Sequence, residues 1–426
     1  MKDSILPAAT PTAYTVQPAL WTRLARRLIL ARLRRLRHGR LTVIDGDTRQ
    51  TFGRLSPDCQ LAATVFVHDA PRFYSAVACA GDIGAGEAYI DGLWSCDDLT
   101  ALVRILLRNR AVLDGMASGL ARVTVPLRKL FHFLRRNTPT GSRRNIAAHY
   151  DLGNDFFALF LDETLTYSCG IFTRPESTLQ EASRAKIERI CRKLQLSPAD
   201  HVVEIGTGWG SFAIHAAKHY GCRVTTTTLS RQQYDLARQR VAAAGVADQV
   251  TVLCEDYRTL TGQYDKLVSI EMIEAVGHAY YDTYFRRCST LLKPDGMMLL
   301  QAITIADQRY ERAKRSVDFI QRYIFPGSCL PSITAICDSL ARATDLRLFH
   351  LEDLTPHYAT TLRHWRERFL AHTDDVRALG YPDSFIRMWE FYLCYCEGGF
   401  HERATGDVQM LLTKPQCRRA PILPPL

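Results

Sequence analysis

From residue 200 onward, apolar runs of strand length alternate with stretches in which apolar residues return every three or four positions. "HVVEIG" precedes the helical "GSFAIHAAKHY", and "CRVTTTTLS" precedes "RQQYDLARQRVAAAG". "VTVLCED", "YDKLVSI" and "GMMLLQAITI" read as three further strands, the last after the helix "YYDTYFRRCSTLL". This alternation predicts an α/β fold built on a doubly wound parallel sheet. Ligands in such sheets bind beyond the carboxyl ends of the strands, so the residues just after each strand are the ones to inspect.

The first part of the chain has a different pattern. In "ALWTRLARRLILARLRRLRHGR", Leu20, Leu24, Leu28 and Ala31 recur at helical spacing with Trp21 alongside, which predicts an amphipathic helix. "LTVIDGDTRQTFG" predicts two strands turning at Asp45-Gly46-Asp47, and "ATVFVHD" predicts a third. A stretch rich in small residues, "FYSAVACAGDIGAGEAYIDGLW", leads into the helical "DDLTALVRILLRNRAVL". Together these predict a smaller α+β domain over residues 1–115. Residues 116–144 are basic and broken by Pro126, Pro139 and Gly141, and read as a linker to a second domain at 145–426.

Composition narrows the class. A chain of 426 residues with 47% hydrophobic content can bury two or three domain cores. The net charge of +10 is local, because Arg23, Arg26, Arg27, Arg32, Arg34, Arg35, Arg37 and Arg40 crowd into the first predicted helix and its end. A basic amphipathic helix lies on an anionic membrane surface or on nucleic acid, or packs on its own domain with its charges solvated. No recognition motif accompanies the charge, so nucleic acid is not expected as a partner. The N-terminus lacks the features of a secretory signal and no apolar run reaches spanning length, which predicts a cytoplasmic protein, peripheral on the inner face of the membrane. The 13 cysteines then read as reduced thiols, and with no CxxC pair among them no metal site is expected.

Chemistry enters at the first strand-to-helix turn. "VVEIGTGWGSF" places Glu204, Gly206, Gly208, Trp209 and Gly210 where glycines let a ligand approach the backbone. The spacing is not the dinucleotide GxGxxG. It resembles the turn of class I S-adenosylmethionine (SAM) methyltransferases, a Rossmann-like fold, which implies SAM as cofactor. Thr228, Leu229, Ser230 and Gln233 follow the second strand, where an acidic residue usually binds the ribose diol. Glu255 and Asp256 end the third strand, placed to accept from an adenine amine.

A closer resemblance follows. "AHYDLGNDFFALFLDETLTYSCGIF", "VEIGTGWGS", "TTLSRQQ", "SIEMIEAVG", "YIFPGSCLPS" and "HYATTLRHWRERF" resemble the cyclopropane-fatty-acyl-phospholipid synthase family in order and spacing, over about residues 145 to 400. "GDIGAGEAYIDGLW" is similar to the longer members that act on membrane phospholipids. The resemblance implies transfer of the SAM methyl to a cis double bond of an acyl chain, then loss of a proton to close a three-membered ring, with bicarbonate as the base. The positions matching its site are Cys169, Glu274, Ile303 and Tyr358, with Tyr167 and Ser168 contacting SAM. Glu271 competes with Glu274 for any role, and the motif match favours Glu274. Gln301 stands where many members carry histidine, and its amide can still orient an anion. Tyr150 is expected in the substrate pocket. Cys396 matches a cysteine assigned to the family's active site, although its apolar neighbours suit a helix beside an acyl channel.

The function expected is therefore a cyclopropane synthase acting on unsaturated acyl chains of membrane phospholipids, with a homodimer left open. One alternative methylates the same alkene without closing the ring and leaves a methyl or methylene branch. Another, of a different class, is a non-catalytic lipid-binding protein.

Overall fold

The computed structural model describes residues 19–110 and 152–422. The expected linker at 116–144 and Tyr150 lie outside the described residues. The chain divides into two compact units. The first takes residues up to 134 with 316–324 and 362–404, and the second takes 135–315, 325–361 and 405–426.

This division is not the contiguous one that the sequence suggests at residue 145. Its cause is the helix Asp383–His401, whose apolar residues are buried within the first unit. Phe391 packs on Tyr89 and Phe319, with ring centroids 5.7 and 4.7 Å away. A Cβ at Gly398 would come within 2.6 Å of Val103, so only glycine allows that approach. Glu397 on the same helix is buried and accepts from Arg366 at 2.8 Å and from Thr100 at 3.3 Å.

The first unit also holds a four-stranded sheet in the order β2-β1-β3-β4. β1 (Gly39–Asp45) and β2 (Thr48–Arg54) form the expected hairpin, with Asp45 opposite Thr48 and Gly46 at φ +56° in the turn. β3 (Ala62–Val67) runs parallel to β1, and β4 (Trp94–Cys96) antiparallel to β3. The small-residue stretch is the helix Ala70–Ile90, capped by Asp69 and kinked at Gly81, where φ is +62°. Its small residues permit close packing: a Cβ at Gly86 would meet the Phe319 ring at 2.6 Å.

The second unit is a seven-stranded sheet in the order β10-β11-β9-β8-β5-β6-β7. β5 (His201–Ile205), β6 (Arg223–Thr227), β7 (Val250–Leu253), β8 (Tyr264–Ile270) and β9 (Leu292–Ile305) are mutually parallel. β11 (Thr405–Thr413) inserts antiparallel to β9, and β10 (Arg347–Asp353) pairs antiparallel with β11. Successive residues of each strand feed opposite cores: Val203, Leu267, Leu300 and Met410 enter one, and Val202, Val268, Leu299 and Leu411 the other. The chain winds outward from β5 through β7, then returns to β8 on the other side. The carboxyl ends of β5 and β8 therefore flank the switch point where ligands bind.

Phe319 is fully buried among Phe391, Tyr323 and the helix at Gly86. Phe319→Ala should lower unfolding free energy by about 3–5 kcal/mol, read by urea denaturation. A loss under about 1 kcal/mol would mean that this cluster is not part of the first unit's core.

Candidate active site

A cleft opens at the switch point. Gly206, Thr207, Gly208 and Trp209 line it after β5, Thr228 and Leu229 after β6, Glu255 and Tyr257 after β7, and Glu271 and Met272 after β8. Tyr167, Ser168, Glu204 and Gln233 complete the expected set on its walls. Gly206 and Gly208 have φ of +101° and +52°, and no atom lies within 4 Å of a Cβ built at Gly208, so its open side faces the cleft. That backbone suits a ligand lying against the chain. Glu204 is buried, accepts from Thr226 Oγ1 at 2.6 Å, and is pushed up to about 8 by desolvation.

Three expected cofactor residues serve the scaffold instead of lining the cleft. Gly210, at φ +87°, starts the helix Ser211–Tyr220. Ser230 caps the helix Arg231–Ala243 by accepting from the Gln233 N–H. Asp256 is tied up by Arg258, whose Nη2 and Nε lie 2.6 and 2.8 Å from its two oxygens. Arg258 itself lines the cleft. Trp209 turns its ring inward, donating to Asn154 Oδ1 at 2.7 Å and packing on Phe157.

Behind the cleft sits a buried polar site that the sequence only partly foretells. The backbone N–H of Cys169 and the Nε2 of Gln301 each donate to Glu271 Oε1 at 2.8 Å, and the Tyr358 hydroxyl donates to Oε2 at 2.5 Å. These are the donors expected to hold bicarbonate, and here all three are engaged by Glu271. Desolvation raises the pKa of Glu271, while the three donors and the charge of Lys186 oppose that rise. Glu271 also has φ +48°, a conformation uncommon outside glycine.

Glu274, favoured over Glu271 by motif, stands apart from those donors. It accepts from the Ile303 N–H at 2.5 Å, and its Oε2 has no partner among the described residues. Burial, and next the charge of Glu271, push it up to about 8. Cys169 is fully buried, and its thiol is raised well above its ordinary value by desolvation and then by Asp407 and Glu271. It is not among the residues that line the cleft, contrary to the pocket-lining place expected for it, and burial opposes the thiolate that a nucleophile would need. Cys396 belongs to the first unit, where desolvation and the nearby Asp318 raise its thiol. It is not one of the cleft-lining residues.

Several participants escape sequence reading. Lys186, fully buried in the helix Leu179–Leu194, donates to Ser168 Oγ at 2.8 Å and faces Glu271, Cys169, Asp407 and Glu204. On β11, Gln409 pairs in register with Gln301 of β9 and donates to its Oε1 at 3.0 Å. Lys193 Nζ donates in turn to Gln409 Oε1 at 2.8 Å and pairs with Glu352 at 2.6 Å. Asp407, two residues earlier, accepts from Gln301 at 3.2 Å and is raised well above the carboxylate range by burial and by the Glu271 charge. No spacing rule announces these residues, since their polarity is matched only across elements.

The sequence matches the family described as mycolic acid cyclopropane synthetase over residues 137–410, more than half of the chain. The chain belongs to the cyclopropane synthase family. It is a SAM-dependent methyltransferase of that family, and its fold is that of class I methyltransferases. Tuberculostearic acid methyltransferase UfaA1 of Mycobacterium tuberculosis is 43% identical over 357 residues, 80% of each chain. The cyclopropane-fatty-acyl-phospholipid synthase of Escherichia coli K12 is 37% identical over 343 residues, 80% of this chain and 84% of its own. The crystal structure of mycolic acid cyclopropane synthase CmaA1 with SAH and CTAB superposes with a TM-score of 0.61 at 35% identity, covering 64% of this chain and 98% of that one.

Gly208 supplies the decisive test of the cofactor's place. Gly208→Val would force a β-branched residue into the left-handed region and fill the open side of the cleft. SAM binding by calorimetry should fall beyond detection, and retained affinity would place the cofactor elsewhere.

Proposed function

We propose that this enzyme transfers the methyl group of SAM to the double bond of an unsaturated acyl chain in a membrane phospholipid and closes a cyclopropane ring, with Glu271 as the base. The observation that carries this reading is the convergence of Cys169 N–H, Gln301 and Tyr358 on one carboxylate at the edge of the cleft. The glycine turn, Glu204 and Thr228 would hold SAM, which when bound supplies an electrophilic methyl on a sulfonium sulfur.

An alkene is a weak nucleophile, so the reacting partners must be aligned and kept from water. When the alkene takes the methyl, one carbon–carbon bond forms, the methyl–sulfur bond breaks, and the neighbouring chain carbon becomes cationic. Loss of a proton from the added carbon then supplies the electron pair that closes the ring. In this reading the proton goes to Glu271. Its rivals are poorly suited: Gln301 is neutral, burial opposes a Cys169 thiolate, and Glu274 accepts from the Ile303 N–H and does not line the cleft, whereas Glu271 does. Bicarbonate, expected from the resemblance, would need donors that Glu271 already uses, so the chain carries its own anion in its place.

The phospholipid substrate draws support from the Escherichia coli relative's name. The 43% identity with a tuberculostearic acid methyltransferase favours a second reading, in which the same transfer ends as a branch. Lipid extraction from an expressing host separates the two. A ring adds one CH₂ and removes the alkene, a methylene branch keeps an alkene, and a saturated methyl branch carries two hydrogens more, which a hydride-donating reductant outside this transfer would have to supply.

Glu271→Gln should lower kcat by about 10²-fold or more, the scale for losing a positioned base, while the wild-type enzyme keeps its rate in carbonate-depleted buffer. Loss of activity on carbonate depletion would return the role to bicarbonate.

A base must be ionised, so kcat should rise with pH as Glu271 loses its proton. Tyr358→Phe removes a donor to the carboxylate and should move that rise upward by about one pH unit or more. An unmoved profile would exclude Glu271 as the group that titrates.

A further inference from the structure

The helix Ala19–Leu33 carries two apolar stripes. Ala25, Ile29, Leu30 and Leu33 are buried, whereas Leu20, Leu24 and Leu28 are 78%, 49% and 47% exposed. The sequence pattern marks the second stripe as the apolar face, and the structure turns that face outward. Four-residue spacing aligns the three leucines in one row. Arg23 and Arg27 follow Leu20 and Leu24 by three positions and form the adjoining row, which Arg34 extends.

These arginines differ from Arg26. Arg26 is held at 2.7 Å by Asp45, which also accepts from Tyr74 at 3.1 Å, so it braces the fold. Arg23, Arg27 and Arg34 are exposed and make no ion pair among the described residues. With Arg26, Leu30 and Gln50 they wall a surface hollow. Guanidinium groups donate in pairs to phosphate oxygens, so a hollow walled by arginines suits a phosphate group.

We propose that this face docks on an anionic phospholipid bilayer, with lipid phosphates in the arginine hollow and Leu20, Leu24 and Leu28 in the acyl boundary. Both halves of the surface are then used. A nucleic acid would satisfy the arginines and leave the leucine row in water. A second copy of the chain could cover the leucines, but would bring like charges together. The exposed leucines also lie on one line beside the charges, the arrangement of helices that lie in the membrane interface. None of the described helices is long and apolar enough to span a bilayer, so attachment of this face would be at the surface.

The proposal does not depend on the reaction, and it is tested without SAM turnover. The full chain is mixed with vesicles of pure phosphatidylcholine or of phosphatidylcholine with phosphatidylglycerol, and bound protein is measured by sedimentation. Binding should require phosphatidylglycerol. It should weaken as salt rises from about 0.1 M to about 1 M, which shortens the Debye length from about 10 Å to about 3 Å. Arg23→Gln/Arg27→Gln/Arg34→Gln should reduce affinity by about 10²-fold, taking the usual contribution of each cation at an anionic surface. Leu24→Ser/Leu28→Ser should reduce it on the same vesicles, with SAM affinity and melting temperature held as controls of folding. The arginine variant alters only exposed groups and keeps the test valid if the serine variant does not fold. Equal binding to both vesicle types, or unchanged binding by the arginine variant, would overturn the proposal. So would a serine variant that binds vesicles normally but dissociates from dimer to monomer in sedimentation velocity, since the leucines would then join two copies.

Discussion

A carboxylate withdrawn from water must be surrounded by donors or it takes up a proton. Glu271 meets that constraint, and much of the second unit is arranged to satisfy it. One donor comes from the loop after Leu165, one from β9 and one from the helix Thr355–Ala371. The Gln301 amide has a fixed direction, because its oxygen accepts from Gln409 and its nitrogen must therefore face the acid. Gln409 is oriented in turn by the Lys193 ammonium. The donors point one way from the cation to the carboxylate, so each hydrogen bond polarises the next.

This chain of donors gives the antiparallel strand β11 a second purpose. As a sheet element it joins β9 to β10, and its register brings Gln409 opposite Gln301 and Asp407 opposite Ile303. The fold thereby gathers polar side chains on one side of Glu271, while β5, β6 and β7 supply the cofactor edge on the other. Glu271 follows β8 at the boundary and belongs to both. The cofactor edge and the buried polar site thus share one residue.

What the sequence reveals depends on whether a residue's role is local. β5 and β8 carry the apolar pairs Val202-Val203 and Leu267-Val268, one residue for each core, and β6 is β-branched from Val224 to Thr227, so all three are easily read as strands. The glycines after β5 announce themselves because their backbone geometry is a local requirement. β11 is not legible because Asp407 and Gln409 interrupt its apolar run, and their partners lie on another strand. Lys186 and Lys193 sit in a helix whose other cations are solvated, so nothing nearby marks these two as buried. Glu271 and Glu274 are three residues apart on one turn, and only donors more than 25 residues away in the sequence distinguish them. The helix Asp383–His401 is visibly apolar, but its sequence does not state which unit it completes.

The left-handed backbone at Glu271 has a further consequence. A side chain held at φ +48° carries a strain of about 1–3 kcal/mol that glycine would not. Glycine at this position would relax the turn and leave three donors around a space the size of a carboxylate, which a dissolved oxyanion could fill. An encoded anion and a diffusible one are therefore two settings of the same site, one codon apart. Under the proposed assignment of Glu271 as the base, the reaction would not depend on the carbon dioxide available to the cell, and the chain bears a permanent backbone strain in exchange.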